Sequence, residues 1–174
     1  MIESQLDQLL AQQHQTQQDI VDVDEPVIKL VIFSLAGHYF AFPGTAIKEV
    51  LQGAETVFFV PGMPASVEGV INVRGDIESV IGLHGLLQLT CSLDAKALLS
   101  CPILLARGKD MHSGLRVDHL LDVIDIPQSQ IKPAPDALPE DLQPYVTGLL
   151  EFKSFAVAVL DIDMLFSAWQ KGQG

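Results

Sequence analysis

The sequence predicts an all-β fold made of small barrels or a sandwich. Short runs of β-branched and aromatic residues recur along the chain, and Gly or Pro turn signals separate them. Apolar residues make up 48% of the 174 residues and charged residues 18%, which is a globular composition with ample material for a core. A similar order of elements also appears in both halves of the chain.

Strands dominate the first half. Residues 27–35 are rich in β-branched side chains, Gly37-His38 is a turn signal, and residues 39–42 return as the second strand of a hairpin. The predicted elements that follow are a short strand or helical turn at 45–51, strands at 67–73 and 77–83, and a helical turn at 86–89.

The second half continues the strand series after a connector at 92–100. It is predicted to contain strands at 103–106, 114–117, 120–126, 146–152 and 155–160, and a terminal helix at 162–169. Residues 127–144 hold five of the ten prolines. Because proline lacks the N–H that a β-ladder needs, this segment is predicted to be an extended loop.

Two gapless alignments within the chain reveal an internal repeat. Residues 67–87 align with 146–166 at an offset of 79, which places Gly69 on Gly148. Residues 30–51 align with 103–124 at an offset of 73, which places Glu49 on Asp122. Identity between the aligned segments is low, but their shared order predicts two similar β modules.

The charge of the chain excludes several classes of partner. With 10 basic and 22 acidic residues, the net charge is −12, so the chain lacks the cationic footprint of a nucleic-acid binder. Anionic lipid would repel it. Half of this charge lies in residues 1–26, a Gln-rich leader without Lys or Arg. The leader fits either a frayed tail or a short docking helix, because four apolar residues have helical spacing: Ile2, Leu6, Leu9 and Leu10.

A cytoplasmic location is predicted. The sequence has neither the basic start with an apolar run of a signal peptide nor an apolar run long enough to span a bilayer. Cys91 and Cys101 are too few for a disulfide framework and are predicted to be reduced thiols.

No motif points to catalysis, a cofactor or a metal. Glycine-rich phosphate loops, a nucleophile elbow and zinc-ligand spacing are missing from the sequence. The densest polar cluster comprises Asp118, His119, Asp122 and Asp125. We interpret it as the charged edge of a strand, with a ligand-binding or hydrolytic barrel as the remote alternative. Ordinary surface positions are expected for His38, His84 and His112.

Arg74 is unusual because it ends a very apolar strand and is followed at once by Gly75. Lys and Arg are rarely left in a β core without a partner. Glu49, which interrupts the apolar segment 47–51, is the predicted partner. Two hypotheses stay open: a structural ion pair that closes a barrel rim, or a polar anchor within an apolar docking groove.

The sequence resembles the CheW family of bacterial coupling proteins. The resemblance is carried by FSLAGHYFAFPGTAIKEVL (33–51), VPGMPASVEGVINVRGDI (60–77), LRVDHLLDVIDIPQSQIKPAP (115–135) and YVTGLLEFKSFAVAVLDIDMLF (145–166). Ser79 stands where the family usually has Pro, and Gly82-Leu83 stands where it has Asp-Leu. These departures bear on the choice of partner more than on the fold.

The resemblance implies two intertwined SH3-like five-stranded β-barrels with short helices and a C-terminal helix. They would occupy residues 27–170, between the leader and a tail at 171–174. It also implies a non-enzymatic adaptor without a cofactor. This adaptor would link the regulatory domain of a CheA-type histidine kinase to the cytoplasmic tip of methyl-accepting chemoreceptors.

The same adaptor role in a type IV pilus motility pathway, or in another chemosensory pathway, is the alternative. The positions that the family uses for receptor binding correspond to Ile47, Glu49, Val50, Gly69 and Arg74.

Overall fold

A computed structural model describes residues 25–53 and 55–173, so most of the predicted leader lies outside the described residues. The strands are β1 Val27–Leu35, β2 His38–Pro43, β3 Ile47–Leu51, β4 Val67–Val73, β5 Asp76–Gly82, β6 Ile103–Arg107, β7 His112–Arg116, β8 His119–Pro127, β9 Lys132–Pro133, β10 Val146–Phe152 and β11 Phe155–Leu160. The helices are α1 Leu83–Leu86, α2 Ala95–Leu98 and α3 Ile162–Gln173, with 3₁₀ turns at Gly44–Ala46 and Gln128–Gln130.

The strands form two sheets, which confirms the predicted all-β class. One sheet has six strands in the order β8-β1-β2-β11-β10-β9, and the other has five in the order β3-β6-β7-β5-β4. Each sheet therefore combines strands from both halves of the chain. Parallel pairing of β2 with β11, and of β5 with β7, joins hairpins that are distant in sequence. The two barrels are intertwined, as the family resemblance implies.

The internal repeat extends to the irregularities of the strands. In the pairing of β3 with β6 the register skips Lys48, and in the pairing of β8 with β1 it skips Leu121. These residues are 73 positions apart. Likewise β4 skips Glu68 and β10 skips Thr147, which are 79 positions apart. Because a bulge bends its strand locally, the two modules share their curvature as well as their order.

The core has three parts. Leu30 and Ile32 of β1 point into the interior of the six-stranded barrel, and Ile71 and Ile103 belong to the interior of the five-stranded one. Alternate residues of β1, such as Phe33, join a larger cluster that draws side chains from both sheets. This shared cluster packs the barrels against each other.

Several short elements differ from the sequence prediction. The proline-rich loop contains the two-residue strand β9, the connector at 92–100 contains α2, and α3 continues to Gln173. α3 starts sharply because Asp161 Oδ1 accepts hydrogen bonds from the N–H groups of Asp163 and Met164, at 3.0 and 3.2 Å. Across residues 25–53 and 55–173, no helix combines the length and apolar character that a membrane span requires.

Candidate functional site

The turn between β4 and β5 presents Arg74 at the surface. Arg74 and Gly75 have φ angles of 51° and 95°, and positive φ at both central residues is the mark of a tight hairpin turn that matches the strand twist. Asn72 Oδ1 accepts a hydrogen bond of 2.8 Å from the Gly75 N–H, which fixes the turn. The Arg74 side chain is 67% exposed. The turn therefore places the Arg74 guanidinium at the rim of the five-stranded barrel.

Glu49 and Arg74 form a bidentate ion pair, as predicted from the sequence. Arg74 Nη1 donates to Glu49 Oε2 at 3.1 Å, and Nη2 donates to Oε1. The hydrogen bonds from Arg74 lower the pKa of the Glu49 carboxyl, and the same contact raises the pKa of Arg74. Both groups are charged at neutral pH. Since the pair is solvent-exposed, it contributes little to folding stability and fixes mainly the position of the two charges.

This ion pair connects two strands that stand at opposite ends of the five-stranded order. Glu49 lies on β3 and Arg74 follows β4, and β6, β7 and β5 separate these strands in the sheet. The contact therefore closes the rim of the barrel between its two edges. Ile47 and Val50, on the same strand as Glu49, are half-buried and pack against the shared core.

Gly69 has a different role from the other predicted site residues. A Cβ atom at this position would lie 2.4 Å from the Phe58 carbonyl oxygen and 2.8 Å from Val57 Cγ1. Its φ of 154° also disfavours a side chain. Without a side chain there, the backbone of Phe58 reaches Val70 and forms two hydrogen bonds of 2.8 and 2.9 Å. The absence of a side chain at Gly69 thus allows the segment around Phe58 to pair with β4.

Exposed apolar side chains on β5 and in the segment that pairs with β4 were missed as site residues in the sequence. Phe59 is 77% exposed, Ile77 62% and Phe58 55%. Large exposed apolar side chains mark candidate interfaces, where aromatic residues and Arg are enriched. The available signal was the Phe58-Phe59 pair, which Val60 separates from the Pro61-Gly62 breaker.

Arg116 is the second feature that sequence reasoning missed. Its side chain is fully buried, and its Nε and Nη2 atoms donate to Glu68 Oε1 at 3.2 and 3.0 Å. Nη1 donates to the Cys101 carbonyl at 2.7 Å. Its hydrogen bonds run inward, so this Arg belongs to the barrel interior and not to a binding surface. Burial raises the pKa of the Cys101 thiol, so the neutral form is favoured there.

The expectation of an ordinary surface position is wrong for His84, whereas His38 and His112 are exposed as expected. His84 is buried, and its Nε2 lies 2.9 Å from Asp118 Oδ1. Asp118 Oδ2 in turn accepts a 2.8 Å hydrogen bond from the Ala36 N–H. His112 Nδ1 lies 2.9 Å from Glu78 Oε1. Both histidines have carboxylate partners 34 residues away, which local spacing does not reveal.

Asp118 therefore departs from the charged strand edge predicted for it. It links α1 to the β1–β2 turn, whereas Asp122 Oδ1 accepts a hydrogen bond from the N–H of the next residue. In the part of the chain that the structure describes, no three His, Cys, Asp or Glu side chains gather in a way that could hold a metal ion.

Comparison with known proteins identifies the family. A family model of the CheW-like domain matches residues 29–170. The chain belongs to the CheW family. The chemotaxis protein CheW of Treponema pallidum is 26% identical over 84% of this chain and 86% of its own length. The CheW protein of Rhizobium meliloti is 24% identical over 82% of this chain and 90% of its own length.

A solved structure agrees with this assignment. The crystal structure of the scaffolding protein TtCheW from Thermoanaerobacter tengcongensis superimposes with a TM-score of 0.69 at 26% identity. The match covers 81% of this chain and 93% of that one. CheW proteins are non-enzymatic adaptors that couple chemoreceptors to a CheA kinase. The role of this chain is accordingly that of a coupling adaptor in chemotaxis.

Proposed function

We propose that the cytoplasmic tip of a chemoreceptor binds at the barrel rim that Glu49 and Arg74 close. A helical tip would lay an apolar stripe along this rim, against Ile47 and Val50, while the two charges set its register. The main support for this proposal is the exposed, bidentate ion pair between Glu49 and Arg74. A guanidinium has five N–H donors and Glu49 engages two of them, so Arg74 can bind a receptor group without leaving its partner.

The regulatory domain of the CheA-type kinase is proposed to bind elsewhere, along the strand edges or ends of the barrels. Unpaired strand edges offer backbone N–H and C=O groups to a partner sheet, and a barrel of similar shape could complement them. A protein that bridges these two partners would work in the cytoplasm, which is the location we propose. Coupling would then mean that the receptor state biases the kinase conformation through this bridge.

Replacing Arg74 tests the receptor site. We expect Arg74→Ala to weaken binding to an immobilised receptor-tip fragment by about tenfold or more, because it removes a central polar anchor. The matched control is Lys153→Ala, which changes the equivalent turn residue of the other barrel, 79 positions later. The control variant should bind the fragment like the unmodified protein. Unchanged binding of Arg74→Ala would show that the assignment of Arg74 is wrong.

A charge swap separates recognition from a purely structural ion pair. The double variant Glu49→Arg, Arg74→Glu keeps opposite charges at the rim but exchanges their places. If the receptor recognises Arg74 itself, the swapped protein should bind as weakly as Arg74→Ala. Full recovery of binding in the swapped protein would mean that the rim needs only to be closed, and it would contradict the proposed contact.

A further inference from the structure

The described chain starts beside a turn of the six-stranded barrel. The Glu25 carboxylate accepts a 2.8 Å hydrogen bond from the Ser129 N–H, and the Pro26 carbonyl accepts a 2.9 Å hydrogen bond from the Gln128 N–H. Hydrogen bonding to Ser129 lowers the pKa of Glu25, so this carboxylate is charged at neutral pH. The point where the leader joins the described chain therefore lies at the Gln128–Gln130 turn.

An apolar cleft begins at the same turn. Its volume is about 650 Å³, within the usual range of roughly 300–1,000 Å³ for binding pockets. Pro133 and Pro135 form part of its wall, and Leu149, Leu150 and Phe155 supply apolar surface. The Phe155 ring is 44% exposed and stacks on Tyr39 with 4.4 Å between ring centroids. Such a rigid apolar surface favours an apolar occupant.

A second cavity of about 390 Å³ lies next to the start of β1. It shares Lys132 and Pro133 with the larger cleft, and Ile28 also lines it. Its lining includes Pro43 and Thr147, which correspond to Arg116 and Glu68 of the other barrel. There the buried ion pair occupies the equivalent space. The six-stranded barrel thus has a cavity where the buried Arg116–Glu68 pair lies in the five-stranded barrel.

The composition of the leader, residues 1–26, suits the apolar cleft. Its apolar residues recur in the sequence at a spacing typical of one helix face: Ile2, Leu6, Leu9 and Leu10. Residues 1–26 contain six acidic residues and no Lys or Arg. Lys132 lines both cavities and Lys153 immediately precedes a residue of the cleft wall, while Glu151 also lines the cleft. The chain between residues 10 and 25 spans up to about 50 Å when extended, which is enough to reach any point of the cleft.

We propose that residues 2–10 bind in this cleft of the same chain, with their apolar face against Leu149, Leu150 and Phe155. Attachment at Glu25 makes the contact intramolecular, with an effective concentration on the order of millimolar. Any partner of the β9–β11 surface would then compete with residues 2–10 of the same chain. This inference goes beyond the receptor site and does not depend on it.

Methyl NMR of the full chain tests this contact. The variant Leu6→Ser, Leu9→Ser, Leu10→Ser removes most of the apolar face without touching residues 25–173. We expect it to shift the methyl resonances of Leu149, Leu150 and Ala156, while the signals of Leu105 in the other barrel stay unchanged. The matched control, Gln8→Ser, Gln12→Ser, Gln13→Ser, should leave all of these signals in place. No shift in the leucine variant, or equal shifts in both variants, would overturn the proposal.

Two further outcomes would also decide against it. If the cleft resonances change on tenfold dilution of the unmodified protein, the leader occupies the cleft of a second copy. If a photoreactive benzoylphenylalanine in place of Leu9 crosslinks to residues 58–77, the leader binds the other barrel. Crosslinking to residues 130–156 of the same chain, independent of protein concentration, would support the proposed contact.

Discussion

The rims of the two barrels have the same backbone but different charge contacts. In the five-stranded barrel, Arg74 of the hairpin turn pairs with Glu49. The equivalent turn residue of the other barrel is Lys153, whose Nζ lies 5.2 Å from the centroid of the Phe152 ring, and the equivalent acid is Asp122. Both turns have positive φ at their two central residues. The turn conformation is thus a property of the fold, and the Glu49–Arg74 pair is specific to one module.

The barrel interiors differ in the same way. Arg116 and Glu68 form a buried ion pair in the five-stranded barrel, whereas Pro43 and Thr147 line a cavity in the six-stranded one. Hairpin register is identical, because Leu30 pairs with Pro43 and Ile103 with Arg116. One backbone template is therefore compatible with either a buried ion pair or a cavity at the same place, and this difference can be tested by substitution.

The largest effect is expected for Arg116→Ala. This change leaves Glu68 in a largely buried position without its cation, and removal of one partner of a buried ion pair costs about 3–5 kcal/mol in the free energy of unfolding. Urea unfolding followed by circular dichroism measures this loss. Pro43→Ala, at the equivalent position of the other barrel, is the matched control and should cost much less.

Replacing both partners makes this comparison sharper. Replacement of a buried ion pair by apolar residues of similar volume is often neutral or stabilising. The double variant Arg116→Met, Glu68→Leu should therefore recover much of the stability that Arg116→Ala loses. A loss below about 1 kcal/mol in Arg116→Ala, which is typical of exposed pairs, would contradict the buried role of this side chain.

A smaller effect is expected for Gly69→Ala. The new Cβ would meet the Phe58 carbonyl oxygen at 2.4 Å, so the segment paired with β4 must move. Overpacking of this kind costs about 1–3 kcal/mol. Faster hydrogen exchange at the Phe58 and Val70 amides, which bond to each other's carbonyls, would report the displacement.

Gly148→Ala is the matched variant in the other barrel. Its new Cβ would meet Ile131 Cγ2 at 2.5 Å and the Lys132 carbonyl oxygen at 2.8 Å, and Gly148 is not among the residues with positive φ. Because the backbone oxygen is farther away than at Gly69 and the backbone conformation tolerates a side chain, this variant should be the milder of the two. A larger loss of stability in Gly148→Ala than in Gly69→Ala would contradict this account of the two bulges.

Much of the fold was predictable because its signals are local. The bounds of β1, Val27–Leu35, follow from a run of β-branched residues and the turn signal after it. The offsets of 73 and 79 between repeated segments anticipated even the equivalence of the hairpins. The parallel pairing of β2 with β11 could not be derived from local pattern, because the partners lie more than 110 residues apart and nothing near either strand specifies the other.

The polar contacts were predictable only in part, for the same reason. Glu49 and Arg74 were paired correctly because Glu49 interrupts an apolar segment and Arg74 ends an apolar strand, so both are conspicuous in the sequence. Arg116 also ends a strand, as Arg74 does. Its partner Glu68 is 48 residues away and lies in a segment that has the pattern of an ordinary strand. His84 likewise depends on a distant partner, so its burial depends on tertiary packing and leaves no mark in the local sequence.

The smallest expected effect concerns the protonation of Glu49. Its pKa lies below the ordinary value of 4.5 because Arg74 donates hydrogen bonds to the carboxylate. A carboxyl whose pKa is lower in the folded state stabilises the fold above its unfolded pKa, and this contribution disappears as the pH falls through the folded pKa. With Arg74 67% exposed, the effect on unfolding should be slight and should weaken with added salt. An NMR titration of the Glu49 carboxyl should give a higher pKa in Arg74→Ala and no change in Lys153→Ala. Identical Glu49 titrations in the unmodified protein and Arg74→Ala would mean that the pair does not persist in solution, and the rim would then lose the feature that distinguishes it from its counterpart.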